Sequence, residues 1–543
     1  MSDFFNRLLK QDFSDLKAAG RSWQKVSEEM GTAFDDHRTR VTGPLHAEWN
    51  GDDAETALRY LEDIETRMQV AQTETMAIAK VIETTVQRME QAQKDLRAAV
   101  TDAEAANLQI GDDGAVQFRD KWAGTDQDSV WGDDAYWDRA NAEAEVNAFQ
   151  RRIDQAINDA AAASDEARKA LAELDGEILD RKNSNMAGES AKDVDSVMDR
   201  LGVRDPQVPK DPKDAAKWWR DLSPEQQQEY VTLYPERIGT TAGLPSDVRN
   251  DANRLRLEQD LDRLQQGDAS TVPGNDERRR NLETLKAELD RRDGASANKQ
   301  LYLLNHDAGG DGKSVIAMGN PDTADNVGVQ VPGTTNTMDD TRANLARISR
   351  LQNSADDADS DATTSMVYWL GYDAPEMPGA EAANLDVAGP GRAEDAGPEL
   401  RDFTHGLRAS HEGERANLTV LGHSYGSTVV GAAASEGGGL DADNIVAVGS
   451  PGMLVDEAED LNVDPDHVYY GLAPDDLVAG PVQGLTLGRG PTHPDFGGTQ
   501  FETDTSGHSG YWDLDPDTGK PSESLSNQGR IIAGRQPTEH ERP

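Results

Sequence analysis

Residues 417–427 read Asn417-Leu418-Thr419-Val420-Leu421-Gly422-His423-Ser424-Tyr425-Gly426-Ser427, an apolar strand running directly into Gly-x-Ser-x-Gly. The residues that follow, Ser427 to Ala434, are small or β-branched, so an outgoing helix can lie close to a sheet. A turn this tight between strand and helix forces the central serine into a strained backbone conformation and lifts its hydroxyl above the sheet edge. Gly422 and Gly426 sit where a β-carbon would collide across the turn. The bare pentapeptide is common, and the strand before it and helix after it give it meaning. The stretch predicts a nucleophile elbow at Ser424, and with it a serine hydrolase.

Around this turn, from Leu301 onward, β-rich segments alternate with helical ones. Strands are expected at Leu301–His306, Ser314–Gly319, Val327–Val331, Met366–Gly371, Leu418–Leu421, Ile445–Val448 and Val468–Leu472, with a short one near Gln500–Glu502. Such alternation predicts an α/β fold, a mostly parallel sheet with helices on both faces. The elbow follows the fifth strand, as in the α/β-hydrolase order. This places a catalytic domain at 301–535 and a tail at 536–543.

Four ordered motifs add a family. Val331-Pro332-Gly333-Thr334, Gly422 to Ser427, Gly449-Ser450-Pro451-Gly452 and His508-Ser509-Gly510-Tyr511-Trp512, with Ser524 to Gly529 behind, resemble the actinobacterial α/β-hydrolases grouped as DUF1023. Trp218-Trp219 and Gly243-Leu244-Pro245 are similar to segments of the same proteins, so the resemblance covers about Trp218 to Gly534.

A serine needs a base within hydrogen-bond reach and a carboxylate to orient that base. In this fold the chain order is Ser, then Asp or Glu, then His. The strand at Val468–Leu472 leads into Ala473-Pro474-Asp475-Asp476-Leu477-Val478, where the acid is expected. Asp475 matches an Asp-Pro-Leu-Val type of turn best and is the first choice, with Asp476 the alternative. Three histidines come later. His508 precedes the last helix and is the expected base, whereas His493 lies among prolines in a loop and His540 in the tail. The oxyanion donors are expected from the Tyr425 backbone N–H and from the backbone of Gly333 or Thr334. His423 is read as packing beside the sheet. No cofactor is implied. Asp513 to Gly519 imitates a calcium loop, but its glycine is one position late and the bidentate glutamate is missing, so no metal is expected.

The rest of the chain bounds what surrounds this domain. In 543 residues Lys and Arg number 54 against 101 Asp and Glu, a formal charge of −47. That field opposes nucleic acid and anionic membrane surfaces. The absence of cysteine removes disulfides, thiolate-zinc sites and a catalytic thiol. No run reaches membrane-spanning length, and the first residues lack a signal-peptide apolar core. The expected location is cytoplasmic, or exported without a cleaved signal.

From Leu61 small or apolar residues recur in steps of three and four through Ile64, Met68, Ala71, Thr75, Ile78, Ile82, Thr85, Met89, Ala92, Leu96 and Ala99, a seam of period 3.5 in a long coiled-coil-like helix. An earlier seam through Phe13, Leu16, Gly20, Trp23, Met30 and Phe34 gives it an antiparallel partner. Trp49-Asn50-Gly51 lies between them. At the bend of a helical hairpin this motif resembles the WXG100 class handled by type VII secretion, which implies a protein partner; the plainer reading is a tryptophan packed at a helix junction. A small β-hairpin at 108–118 and a third long helix from about Asp133 to Leu174 complete a helical bundle over 1–185. Lys182 to about Lys213 is polar and broken by prolines, and reads as linker. Within 186–300 this linker is followed by short helices, including Trp218-Trp219, that dock on the hydrolase domain.

These readings converge on an acyl-transfer hydrolase, an esterase or lipase-like enzyme for a small-molecule or lipid ester. Two rivals remain at this level: an amidase or peptidase on the same triad, and a secreted interaction or toxin-like protein whose helical module is the functional part. The segment Tyr372 to Glu399 is too short for a large lid, which implies an open site.

Overall fold

The computed structural model describes residues 2–49, 51–118, 133–174, 186–265, 274–376, 389–478, 486–515 and 517–540. Asn50 of the bend and residues 377–388 of the segment read as too short for a lid lie outside the described residues. Two compact units emerge. The first is Met1–Thr32, Arg67–Ser184 and Glu189–Arg204, and the second is Ala33–Thr66, Asn185–Gly188 and Asp205–Pro543.

The first unit is helical. Its long elements are drawn from Ser14–His37, Asp52–Ala105, Asp133–Leu174 and Met186–Leu201, with a hairpin of β1 (Leu108–Ile110) and β2 (Val116–Phe118). The core joins Phe5, Leu8 and Phe13 to Leu96 and Ala99 of the expected seam and to Ile153, Ala156 and Ala160. Around residues 69–81 the long helix is covered on more sides than one seam allows, since Val70, Met76, Ala77, Ala79 and Val81 are all buried. The extra cover includes Met186–Leu201, a helix inside the segment expected to be linker. Its Val194, Val197, Met198 and Leu201 recur at helical spacing and are buried, but isolated apolar residues among Asp, Lys and Ser gave too weak a pattern to read.

The second unit carries an eight-stranded sheet of β3 (Leu301–Asp307), β4 (Lys313–Met318), β5 (Asn326–Val331), β6 (Thr364–Leu370), β7 (Asn417–His423), β8 (Asn444–Val448), β9 (Val468–Gly471) and β10 (Thr499–Gln500). The spatial order is β10-β9-β8-β7-β5-β6-β4-β3. All pairs from β10 to β6 are parallel, and β4 and β3 continue antiparallel. These strands are near-continuous apolar runs because both faces are covered. Chain direction explains how. β5 leads to β6 on one side and the chain then returns across β5 to β7 and β8. Right-handed crossovers therefore put the helix Thr341–Ala358 on one face and Gly391–Ser410 with Tyr425–Ser435 on the other. Glu523–Ile532 joins the first face, where Ser354 Oγ donates to the Leu525 carbonyl.

The direction of winding reverses at β5, and the crevice outside strand ends at such a switch point is where this architecture binds ligands. Two neighbours open into it, since Val331 of β5 is paired with Gly422 of β7. Trp219 is buried with Ile238, Leu244 and Ala252, in a cluster formed within residues 208–252. The hairpin is divided, however: residues 33–66 fall in the second unit, so the division does not lie at residue 185. A β-carbon on Gly43 would stand 2.5 Å from the Asp293 carbonyl oxygen, which shows how closely that segment packs there.

Candidate active site

β7 ends at His423 and the helix Tyr425–Ser435 begins two residues later, leaving Ser424 to make the turn with φ 54° and ψ −131°. A non-glycine residue there is strained by about 1–3 kcal/mol and persists only when its surroundings fix it. Here they do. Ser424 N–H donates to Val448 O of β8 (3.0 Å), and Ser427 Oγ donates to the Ser424 carbonyl (2.6 Å) while sharing a hydrogen bond with Ser450 Oγ (2.7 Å). The glycine requirement is met in space as in sequence. A β-carbon at Gly422 would lie 2.4 Å from Ser427 Cα, and one at Gly426 2.3 Å from Val331 O.

The loop after β5 lies against the serine. A β-carbon on Gly333 would be 2.6 Å from Ser424 Cβ and 3.2 Å from its Oγ. Asn336 Nδ2 donates to the carbonyls of both Gly333 and Thr334 (3.1 Å each), and Asn344 Nδ2 in turn donates to Asn336 Oδ1 (3.0 Å). In a trans peptide the N–H points opposite the carbonyl, so anchoring the Gly333 carbonyl on Asn336 turns the Thr334 N–H the other way. Tyr425 N–H opens a helix and precedes its internal hydrogen bonding. Gly333, Thr334 and Tyr425 thus border the same turn.

The candidate histidine and carboxylates come from two later loops. His508 Nδ1 lies 3.0 Å from Asp476 Oδ1 and 2.9 Å from Asp476 Oδ2. Asp476 is the buried member of the pair; Asp475, the first choice from sequence, is exposed and its Oδ1 accepts the Gly507 N–H at 2.7 Å. The carboxylate that faces His508 is thus Asp476 and not Asp475, the first choice from sequence. The turn at 473–476, closed by Asp476 N–H donating to Ala473 O (3.1 Å), faces one carboxylate inward and its neighbour outward. Asp476 also accepts from Val478 N–H (2.9 Å) and from the Tyr511 hydroxyl (2.7 Å). Tyr511 accepts the Ala473 N–H (3.1 Å) and thereby joins the acid's turn to the base's loop. Its role was missed from sequence, although it stands three residues after His508.

His423 sits directly before Ser424 and packs against His508, with ring centroids 4.8 Å apart. Burial and the nearby His508 push its pKa down to about 3, so it is neutral. A neutral ring facing a carbonyl must present its N–H, so His423 Nε2–H donates to His508 O (2.8 Å). It holds the His508 backbone in place. Of the other late histidines, His493 is half-exposed beside Asp495 and His540 faces Glu502. Among the described residues one group has metal-ligand spacing, His46, Glu62 and Asp290. Lys286 already holds Asp290 and Glu258 there, so a cation is in place.

An elbow serine, a histidine held by a buried carboxylate and a glycine loop at the switch point of a parallel sheet define an α/β-hydrolase. Residues 307–485 match a family model described as alpha/beta hydrolase. The match takes in Gly333, Ser424 and Asp476 and stops before His508. The uncharacterized protein Rv2079 of Mycobacterium tuberculosis is 32% identical over 338 residues, 54% of this chain and 51% of the relative. The uncharacterized protein Mb0988c of Mycobacterium bovis is 31% identical over 202 residues, 35% of this chain and 73% of the relative. The chain belongs to the α/β-hydrolase family. It matches about half the length of Rv2079, and no solved structure matches it.

Proposed function

We propose that the chain is a serine hydrolase of carboxylic esters. The observation that carries this reading is the buried Asp476 holding His508 Nδ1, with His508 packed on His423, the residue before a serine strained at an elbow. Ser424 Oγ attacks the ester carbonyl while His508 Nε2 takes its proton, and Asp476 keeps the ring in the tautomer that can accept it. The Tyr425 N–H and the Gly333 to Thr334 backbone receive the oxyanion. His508 returns the proton to the leaving alkoxide, and water, activated by the same ring, releases the acid. A fluorophosphonate probe should label the native protein at Ser424, and Ser424→Ala should remove both labelling and turnover of a p-nitrophenyl ester. Unchanged labelling of the alanine variant would refute the assignment.

The helical hairpin is proposed as a WXG100-like element for a protein partner or for export without a cleaved signal, in a protein otherwise similar to the DUF1023 group. Trp49 supports this, standing 42% exposed at the bend. No helix among the described residues is long and apolar enough to cross a membrane. Trp49→Ala should leave ester turnover intact and abolish export from a host with a type VII apparatus; normal export of that variant would refute the role.

A further inference from the structure

A cavity of about 540 Å³ opens at the carboxyl edge of the sheet, displaced from the serine toward β4 and β3, and is walled by the last residues of β3 and β6, the first of β4, the helix Gly391–Ser410 and residues 208–249. That volume suits a small ligand. Neither Ser424, His508 nor Gly333 lines it.

Arg249 sets its character. The side chain is 4% exposed, and burial pulls its pKa down to about 10, still protonated at neutral pH. Nε donates to Gly239 O (3.2 Å) and Nη2 to Leu304 O (2.7 Å), and the guanidinium lies 5.9 Å from the Phe403 ring. Carbonyls and a ring do not neutralise a buried charge. The carboxylate acting on it, Asp322, is not within ion-pair reach and is bound by Ser246 and Ser410. Nη1 has no acceptor among the described residues. Lys210, Arg237 and Lys313 share the wall, and none of these four cations has a carboxylate within ion-pair distance among the described residues. In a chain of net charge −47, where buried arginines such as Arg254 and Arg408 are paired with Asp293 and Asp443, this grouping is unusual.

Three acids, Asp307, Glu399 and Asp402, occupy the same wall. A polyanion would meet them. One anionic head with hydroxyl or amino groups on its remainder satisfies both sets, the head on the cations and the donors on the carboxylates. We infer that this cavity is a second ligand site, separate from the catalytic serine, for a small polar molecule with a single phosphate or carboxylate head. An occupant would also touch the reaction centre indirectly. The Trp369 indole in the wall stacks on Tyr372 (6.2 Å, 14°), and the Tyr372 hydroxyl donates to Pro332 O (2.7 Å), next to Gly333.

Calorimetric titration of the full-length Ser424→Ala protein with glycerol 3-phosphate and with glycerate, at matched ionic strength, tests the site apart from the chemistry. One-to-one binding of either is expected, the tighter identifying the head, with glycerol silent and tripolyphosphate weaker. Arg237→Gln with Lys313→Gln should weaken binding about tenfold to a hundredfold, the worth of charge-assisted hydrogen bonds. Arg249→Gln should abolish it, and the double variant keeps the test open if Arg249→Gln fails to fold. No binding at millimolar concentration, equal binding by the double variant, or tighter binding of tripolyphosphate would overturn the inference.

Discussion

The Tyr511 hydroxyl donates to Asp476 Oδ2 over 2.7 Å, on the same carboxylate oxygen that faces His508 Nδ1 at 2.9 Å. The donation draws charge from the carboxylate. Tyr511→Phe should leave Asp476 a stronger partner for the imidazolium, so the acid limb of the kcat/KM profile should move to higher pH. Losing one hydrogen bond to a charged group should lower kcat about tenfold with KM unchanged. A rate loss without movement of the limb would reduce Tyr511 to packing.

Asp476→Asn should lower kcat by about three to four orders of magnitude while the fold is kept, because an amide holds the ring in the wrong tautomer. Asp475→Asn keeps an oxygen for the Gly507 N–H and should stay within a few-fold of wild type. Steady-state kinetics on a chromogenic ester distinguishes them, and the reverse ranking would restore Asp475 as the acid.

Glu74 gives the helical unit a pH dependence of its own. Burial raises its pKa from 4.5 to about 7 and the nearby Asp193 adds repulsion, with Ser190 close by opposing the rise. The folded unit thus favours the protonated form, and the stability this contributes is complete below pH 4.5 and lost as pH rises through 7. The melting temperature of that unit should fall between pH 5 and pH 8, and Glu74→Gln should flatten the dependence and raise stability at pH 8. Calorimetric scans at the two pH values measure this; an equal pH dependence in the glutamine variant would exclude Glu74.

Gly43 lies against the Asp293 backbone, which cannot move aside as a side-chain tip can. Gly43→Ala should therefore cost about 1–3 kcal/mol of stability in the second unit, read by denaturant unfolding of the full-length protein. A fragment starting near Asp211 would lack this whole segment, so its stability should fall below that of the intact second unit, as the same unfolding experiment would reveal.

The elbow turn and the strands were legible because each is encoded locally, by glycines around a serine or by apolar runs. Which carboxylate faces His508 was not. Asp475 and Asp476 are chemically identical neighbours, and the choice between them is made by a turn and by a tyrosine that the chain delivers only at 511. The Met186–Leu201 helix was hidden for a different reason: its apolar face is narrow, and tertiary cover rather than local pattern holds it. Local pattern also could not show that residues 33–66 change units, since a helix seam reports that a face is buried and not what buries it.

At φ 54° residue 424 would rest more easily as glycine than as serine. Were the proposed reaction not needed, exchange of the hydroxymethyl group for hydrogen at this position would yield a sturdier and silent protein. A serine at such a place costs the fold stability that a glycine would spare it, and the proposed reaction is what that cost would serve.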